Sequence, residues 1–226
     1  MKLFLSGGGS DMQSVEIDRK FIEAIDISKP VLYIPIAINT DKHPYTGCLE
    51  WLKSNFAKFN FSNFVMWTEK DLKDKTERDF EQFGGIYIGG GNTFKLLSDL
   101  KEFGTFNILK SLASENIPIY GGSAGAIVLA RTIIPAISAD PNDINLKDFF
   151  ALNLLKDNDI WCHYNPSMET IISEFTKEYN LKKIIAIPED AGLFVSEKGI
   201  EVVGPNVITV FEGDKKNTLN PGEFLN

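Results

Sequence analysis

Ile119-Tyr120-Gly121-Gly122-Ser123-Ala124-Gly125-Ala126 is the stretch that decides how this chain reads. Two large apolar residues run straight into Gly-x-Ser-x-Gly, and small residues then open a helix. A serine at such a strand-to-helix turn is a nucleophile elbow. The turn is sharp, so neighbouring positions must lack side chains, and the serine hydroxyl is left exposed. The helix start beyond it presents free backbone N–H groups and the positive end of a dipole to a developing anion. The bland alternative is a glycine-rich turn whose serine only caps the helix.

Outward from the elbow, short apolar runs alternate with amphipathic stretches. Residues 3–5, 31–36, 64–67, 85–89 and 117–120 read as strands, the second stopped near Pro35. Apolar residues at helical spacing occur at Val15, Phe21, Ile22 and Ile25, and again at Leu49, Trp51, Leu52, Phe56 and Phe59. A further helix opens near Thr93. Apolar strands between helices predict an α/β fold, a three-layer sandwich with a mostly parallel central sheet. Residues 193–195, 200–203 and 207–211 read as a C-terminal β-meander. Its hairpins are expected at Glu197-Lys198-Gly199 and Gly204-Pro205-Asn206. No repeat, linker or composition shift divides the chain, so residues 1–226 are expected to form a single domain.

Sites in such sheets lie beyond the carboxyl ends of the strands. Three glycine clusters fall there: Gly7-Gly8-Gly9, Gly89-Gly90-Gly91-Asn92 and Gly121-Gly122-Ser123. A serine nucleophile needs a base, and histidine is the usual one. Only His43 and His163 are available. His163, at the strand end in Ile160-Trp161-Cys162-His163-Tyr164, is favoured over His43, which precedes Pro44 in a polar loop. The base in turn needs a carboxylate. Glu189, in Ile187-Pro188-Glu189-Asp190, is the main candidate, and Asp140 and Asp143 compete. In the second cluster, Gly90, Gly91, Asn92 and Thr93 allow close backbone approach at a helix start. They could supply an oxyanion N–H or hold a substrate carboxylate. No Gly-Lys-Ser/Thr follows, so this is not a Walker loop, and it does not fit the dinucleotide fingerprint. Gly7-Gly8-Gly9 reads only as a tight turn near the same edge.

A net charge of -8 argues against nucleic acid or an acidic membrane as partner. Cys48 and Cys162 form no CxxC pair, and two isolated histidines and two isolated cysteines argue against a catalytic zinc. No cofactor and no metal are therefore expected. The apolar start Met1-Lys2-Leu3-Phe4-Leu5 is too short for a signal-peptide core. Residues 124–139 are interrupted by Arg131 and Pro135 and are too short to span a bilayer. A cytoplasmic location is the expectation.

Taken together, Gly89-Gly90-Gly91-Asn92-Thr93-Phe94-Lys95-Leu96-Leu97, Gly122-Ser123-Ala124-Gly125-Ala126, the segment around His163, Ile187-Pro188-Glu189 and Gly204-Pro205-Asn206 resemble the peptidase E and cyanophycinase family of serine peptidases. The resemblance spans most of the chain. It implies a flavodoxin-like, class I glutamine-amidotransferase-like sandwich, with Ser123 where the amidotransferases usually carry cysteine. It implies Ser123 as nucleophile, His163 as base, and oxyanion donors at Gly91 and Ala124. Glu189 matches the acid of cyanophycinase-like members, and Asp140 is the nearest match to an aspartate assigned in peptidase E. Short peptides are the implied substrate, with a monomer or homodimer as the assembly. Peptidase E-like members carry an arginine after the histidine that binds an aspartate side chain. Residues 167–183 contain no arginine, only Lys177, Lys182 and Lys183, so strict aspartate specificity is not part of the expectation. An esterase or acylase sharing the nucleophile, and a non-catalytic small-molecule binding module, remain as alternatives.

Overall fold

The computed structural model describes residues 1–225. In chain order the strands are β1 (Leu3–Ser6), β2 (Val31–Ile34), β3 (Phe64–Met66), β4 (Gly85–Ile88), β5 (Ile119–Gly122), β6 (Asp159–Trp161), β7 (Ile184–Ala186), β8 (Gly192–Ser196), β9 (Gly199–Val203), β10 (Ile208–Glu212), β11 (Lys215–Leu219) and β12 (Phe224–Leu225). The helices are α1 (Val15–Ala24), α2 (Tyr45–Ala57), the single turns α3 (Glu69–Leu72) and α4 (Glu77–Phe80), α5 (Thr93–Glu102), α6 (Thr105–Ser114), α7 (Ala124–Leu129) and α8 (Glu169–Glu178).

The main sheet has the order β12-β9-β8-β1-β5-β4-β2-β3. β1, β5, β4, β2 and β3 run parallel, and β8, β9 and β12 add on antiparallel beside β1. Alternation along the parallel strands sorts side chains between two cores. Leu3, Leu5, Leu32, Ile34, Ile86, Ile88 and Ile119 face an aliphatic layer. There they meet Leu96, Leu97 and Leu100 of α5, Leu109 of α6 and the small residues of α7. Phe4, Tyr33, Tyr87 and Tyr120 face the other side, where Phe21 of α1 and Phe56 of α2 complete an aromatic layer. Tyr87 stacks on Tyr120 with ring centroids 4.5 Å apart. Helices on both faces of a mostly parallel sheet are the three-layer α/β sandwich expected from the strand pattern.

A second sheet, of order β11-β10-β7-β6, lies on the aliphatic side. Ile160, Ile185, Ile208 and Val210 join the same core as the main sheet, while Trp161, Ile184 and Phe211 pack with Ile172 of α8 on the outer face.

The C-terminal strands differ from the expected meander in one link. Glu197-Lys198 does close the β8–β9 hairpin, with Ser196 paired to Gly199. Gly204-Pro205-Asn206, expected as a second hairpin, is a crossover: β10 leaves β9 and pairs antiparallel with β7 in the second sheet. Gly204, at φ +114°, reverses the chain locally. Turn residues fix a bend, whereas the apolar face of the following strand decides which edge receives it. Ile208 and Val210 are buried between the sheets.

Candidate active site

Ser123 sits between β5 and α7 with φ 51° and ψ -111°, backbone that side-chain-bearing residues rarely adopt. Its N–H donates to the Ser6 carbonyl (3.2 Å), and its own carbonyl accepts from Ala126 (2.8 Å) and Ile127 (3.0 Å). The flanking glycines are required by space. A Cβ on Gly121 would overlap the Gly125 backbone, and one on Gly125 would overlap the Ile88 carbonyl. Strain held by such over-determined packing is a mark of functional turns. Ala124 opens α7, so its N–H has no acceptor within the helix.

His163 follows β6, and its backbone is also left-handed, φ 54°. Its N–H donates to Gly7 (2.8 Å), which ties the end of the second sheet to the end of β1. The ring lies against Gly8, where any Cβ would overlap it. Nε2 of His163 is 2.9 Å from Ser123 Oγ, and Nδ1 is 3.0 Å from Oε1 of Glu189. Glu189 follows β7, and Gln13 donates to its other oxygen, Oε2, at 3.2 Å. These two hydrogen bonds hold the Glu189 carboxyl below the usual range, the one from His163 contributing most. An ionised carboxylate only accepts. Nδ1 therefore carries the proton, and Nε2 is left as acceptor for the serine hydroxyl. Both side chains are about half exposed, so the group is open to a substrate.

The other candidates fall around this group without joining it. Oδ2 of Asp140 accepts the backbone N–H of Thr93 at 2.8 Å, and no hydrogen bond links Asp140 to His163 among the described residues. Asp143 is exposed. Asn92 caps α5 by accepting from Lys95 N–H (2.9 Å), while its amide donates to the Pro141 carbonyl (2.7 Å). Asn92 and Thr93 thus hold the segment that carries Asp140. Gly90 lies beside the nucleophile, where an added Cβ would stand 3.2 Å from Ser123 Cβ. Gly91, at φ +136°, packs on the Ala37 carbonyl. Cys162 is buried beneath the elbow, with its thiol 3.5 Å from the Ser123 carbonyl, and burial pushes its pKa well up. It is an inert thiol, not a competing nucleophile.

Two cavities flank Ser123. One, of about 530 Å³, runs from Gly90 and Gly122 past Tyr33, Tyr87 and Trp51 to Lys42 and His43. The other, of about 460 Å³, runs past His163, Ile127, Trp161 and Asp140 to Met168 and Ile171. The lysines that follow the histidine reach neither. Lys177 pairs with Asp214 (3.1 Å) and Lys183 with Glu212 (3.7 Å). Lys182 lines a separate hollow beside Lys156 and Lys198.

A family model, peptidase family S51, matches residues 3–203. The chain belongs to peptidase family S51. A Peptidase E of Shewanella sp. (strain W3-18-1) is 32% identical over 143 residues. That match covers 61% of this chain and 61% of the relative. In fold, this S51 chain is similar to a peptidase from an acI-B1 Actinobacterium, at TM-score 0.70 and 18% identity over 98% of this chain and 95% of that one. It is also similar to a candidate peptidase E protein from Listeria monocytogenes EGD-e, at TM-score 0.65 and 23% identity over 97% and 98%. The family resemblance seen in the glycine motifs is thereby borne out.

Two parts of the candidate site were not reached from sequence. Gln13 is one, since a lone glutamine between a glycine turn and a helix carries no signal. Gly7-Gly8-Gly9 is the other. Its three glycines lie under Pro188, the His163 ring and the Glu189 backbone, where any Cβ would collide. The signal was present as three consecutive glycines after β1, but their partners lie more than 150 residues away along the chain.

Among the described residues no helix is long and apolar enough to cross a membrane, and no group of three or more His, Cys, Asp or Glu could hold a metal ion.

Proposed function

We propose that the protein is a serine peptidase that hydrolyses short peptides through Ser123, His163 and Glu189. The observation that carries this reading is the unbroken relay from Ser123 Oγ through both nitrogens of His163 to Glu189, at 2.9 and 3.0 Å. Family membership supports the same chemistry.

In the acylation step Ser123 Oγ bonds to the scissile carbonyl carbon as its proton passes to His163 Nε2. The carbonyl π electrons move onto oxygen, where the N–H groups of Ala124 and Gly91 receive the charge. Glu189 steadies the imidazolium without taking its proton. The C–N bond then breaks, and the departing amine leaves with the proton from Nε2. Water repeats the sequence, giving up a proton to His163 and releasing the acid from Ser123. Residues 1–226 act as one unit in this reading, because Ser123 follows β5 of the main sheet, His163 and Glu189 follow β6 and β7 of the second, and the three meet where strands of both sheets end. A cytoplasmic monomer or homodimer is the accompanying assignment.

The test is hydrolysis of a dipeptide panel by wild type and Ser123→Ala in parallel. Wild type cleaves members of the panel, and the variant loses about 10⁴-fold or more in kcat. Full turnover by Ser123→Ala on any cleaved peptide would overturn the proposal.

A further inference from the structure

The two cavities beside Ser123 carry opposite charge. The larger has Lys42 and His43 at its rim and no carboxylate in its wall. The smaller has the Asp140 carboxylate in its wall and no lysine or arginine. Ile127, Pro135, Trp161, Met168 and Ile171 make the larger, apolar part of the smaller cavity's wall, and Thr93, Ser138 and His163 add polar groups. A dipeptide is a zwitterion, with an ammonium at one end and a carboxylate at the other. Only one orientation across Ser123 matches both cavities.

We infer that the smaller cavity is the acyl-side pocket for an N-terminal residue with an apolar side chain, its free α-ammonium held by Asp140. This rests on the serine peptidase reading above and names its substrate class. The leaving residue lies in the larger cavity, and its carboxylate faces Lys42 and His43. The geometry around Asp140 fits the task. Oδ2 is occupied by the Thr93 N–H, while Asp140 N–H is tied back to Ala136 (2.8 Å), and Asn92 holds the adjoining Pro141. The carboxylate is thus fixed on one oxygen and free to accept on the other. An acidic side chain in this pocket would meet the Asp140 carboxylate and no lysine or arginine, and would lose water against a wall that is mostly apolar. The structure therefore selects against aspartate as N-terminal residue.

The experiment compares kcat/KM for Leu-Leu, Asp-Leu and N-acetyl-Leu-Leu with wild type, Ser123→Ala and Asp140→Asn. Wild type prefers Leu-Leu over both other peptides by about 10-fold or more, the scale of one charge-assisted contact. Asp140→Asn loses about 10- to 100-fold on Leu-Leu and leaves N-acetyl-Leu-Leu unchanged. Asparagine keeps an acceptor for Thr93, so a purely structural role would instead lower both substrates alike or neither. Preference for Asp-Leu, tolerance of N-acetylation, or an equal effect of Asp140→Asn on both peptides overturns the inference while leaving Ser123 chemistry intact. Turnover that survives Ser123→Ala removes the peptidase reading instead. Calorimetric binding of the boronic acid analogues of leucine, N-acetyl-leucine and aspartate tests the pocket without turnover. The leucine analogue binds tightest and loses its advantage over the N-acetylated one in Asp140→Asn. Equal binding of all three overturns the inference.

Discussion

At the scale of single residues, the site is a chain of acceptors and donors in which each partner fixes the next. Glu189 is held ionised by His163 and Gln13, and it fixes the proton on Nδ1. Glu189→Gln keeps the shape but presents an amide that can donate to Nδ1 and favour the wrong tautomer. We expect kcat to fall by about 10²- to 10⁴-fold, with KM nearly unchanged. Gln13→Ala removes only one exposed hydrogen bond of 3.2 Å, so its effect on kcat is expected to stay below about 10-fold. Steady-state kinetics on one cleaved dipeptide measures both. The proposed nucleophile was legible in the sequence because everything it needs is local: a strand, flanking glycines and a helix start within eight residues. The choice between Glu189 and Asp140 stayed open because both lie on loops after apolar segments. In space they differ: Glu189 reaches His163 Nδ1 at 3.0 Å, whereas Asp140 accepts from the Thr93 N–H.

At the scale of elements, the glycine turn after β1 is the floor on which the second sheet's contribution rests. Gly8 combines φ +107° with the His163 ring packed where its side chain would be. Gly8→Ala meets both penalties at once. We expect a loss of about 1–3 kcal/mol in stability from the backbone alone, and a loss of activity beyond what that unfolding explains, because His163 must move. Denaturant midpoints and kcat measured on the same preparation separate the two. A variant with normal kcat would refute this account. Strand periodicity revealed the main sheet because β1, β2, β4 and β5 are continuous apolar runs. It did not reveal the second sheet as a separate layer. β6 and β7 are only three residues each, and Gly204-Pro205-Asn206 looks like any turn. Which edge accepts β10 depends on Ile208 and Val210 finding the core between the sheets, a long-range outcome with no local signature.

At the scale of the whole molecule, one buried acidic group ties α1 to β5. Asp18 of α1 is 2% exposed and accepts from Tyr120 (2.8 Å) and Ser14 (2.8 Å) beneath the aromatic layer. Burial pushes its pKa up to about 6 from 3.8. Folded protein therefore holds this proton more tightly than unfolded chain does. Stability from the group is fully present below about pH 4 and is lost as pH rises to about 6, a change of roughly 3 kcal/mol. Asp18→Asn keeps one acceptor oxygen, presents its amide N–H to the second hydroxyl, which must turn to accept, and has no proton to lose. Relative to wild type it should gain stability between pH 4 and 8 by up to about 3 kcal/mol, read from urea midpoints. A constant difference across that range would show that Asp18 does not titrate in the window. The topology also orders events during synthesis. β1 emerges first, yet it lies between β5 and β8, pairing Leu3 with Ile119 on one side and Val195 on the other. β1 must therefore wait for two strands made later than itself. His163 takes its backbone tether from Gly7, at the end of that same strand. A chain made only as far as α7 thus holds Ser123 without His163 or Glu189, and the proposed relay has no means to assemble before β7 and the loop after it exist.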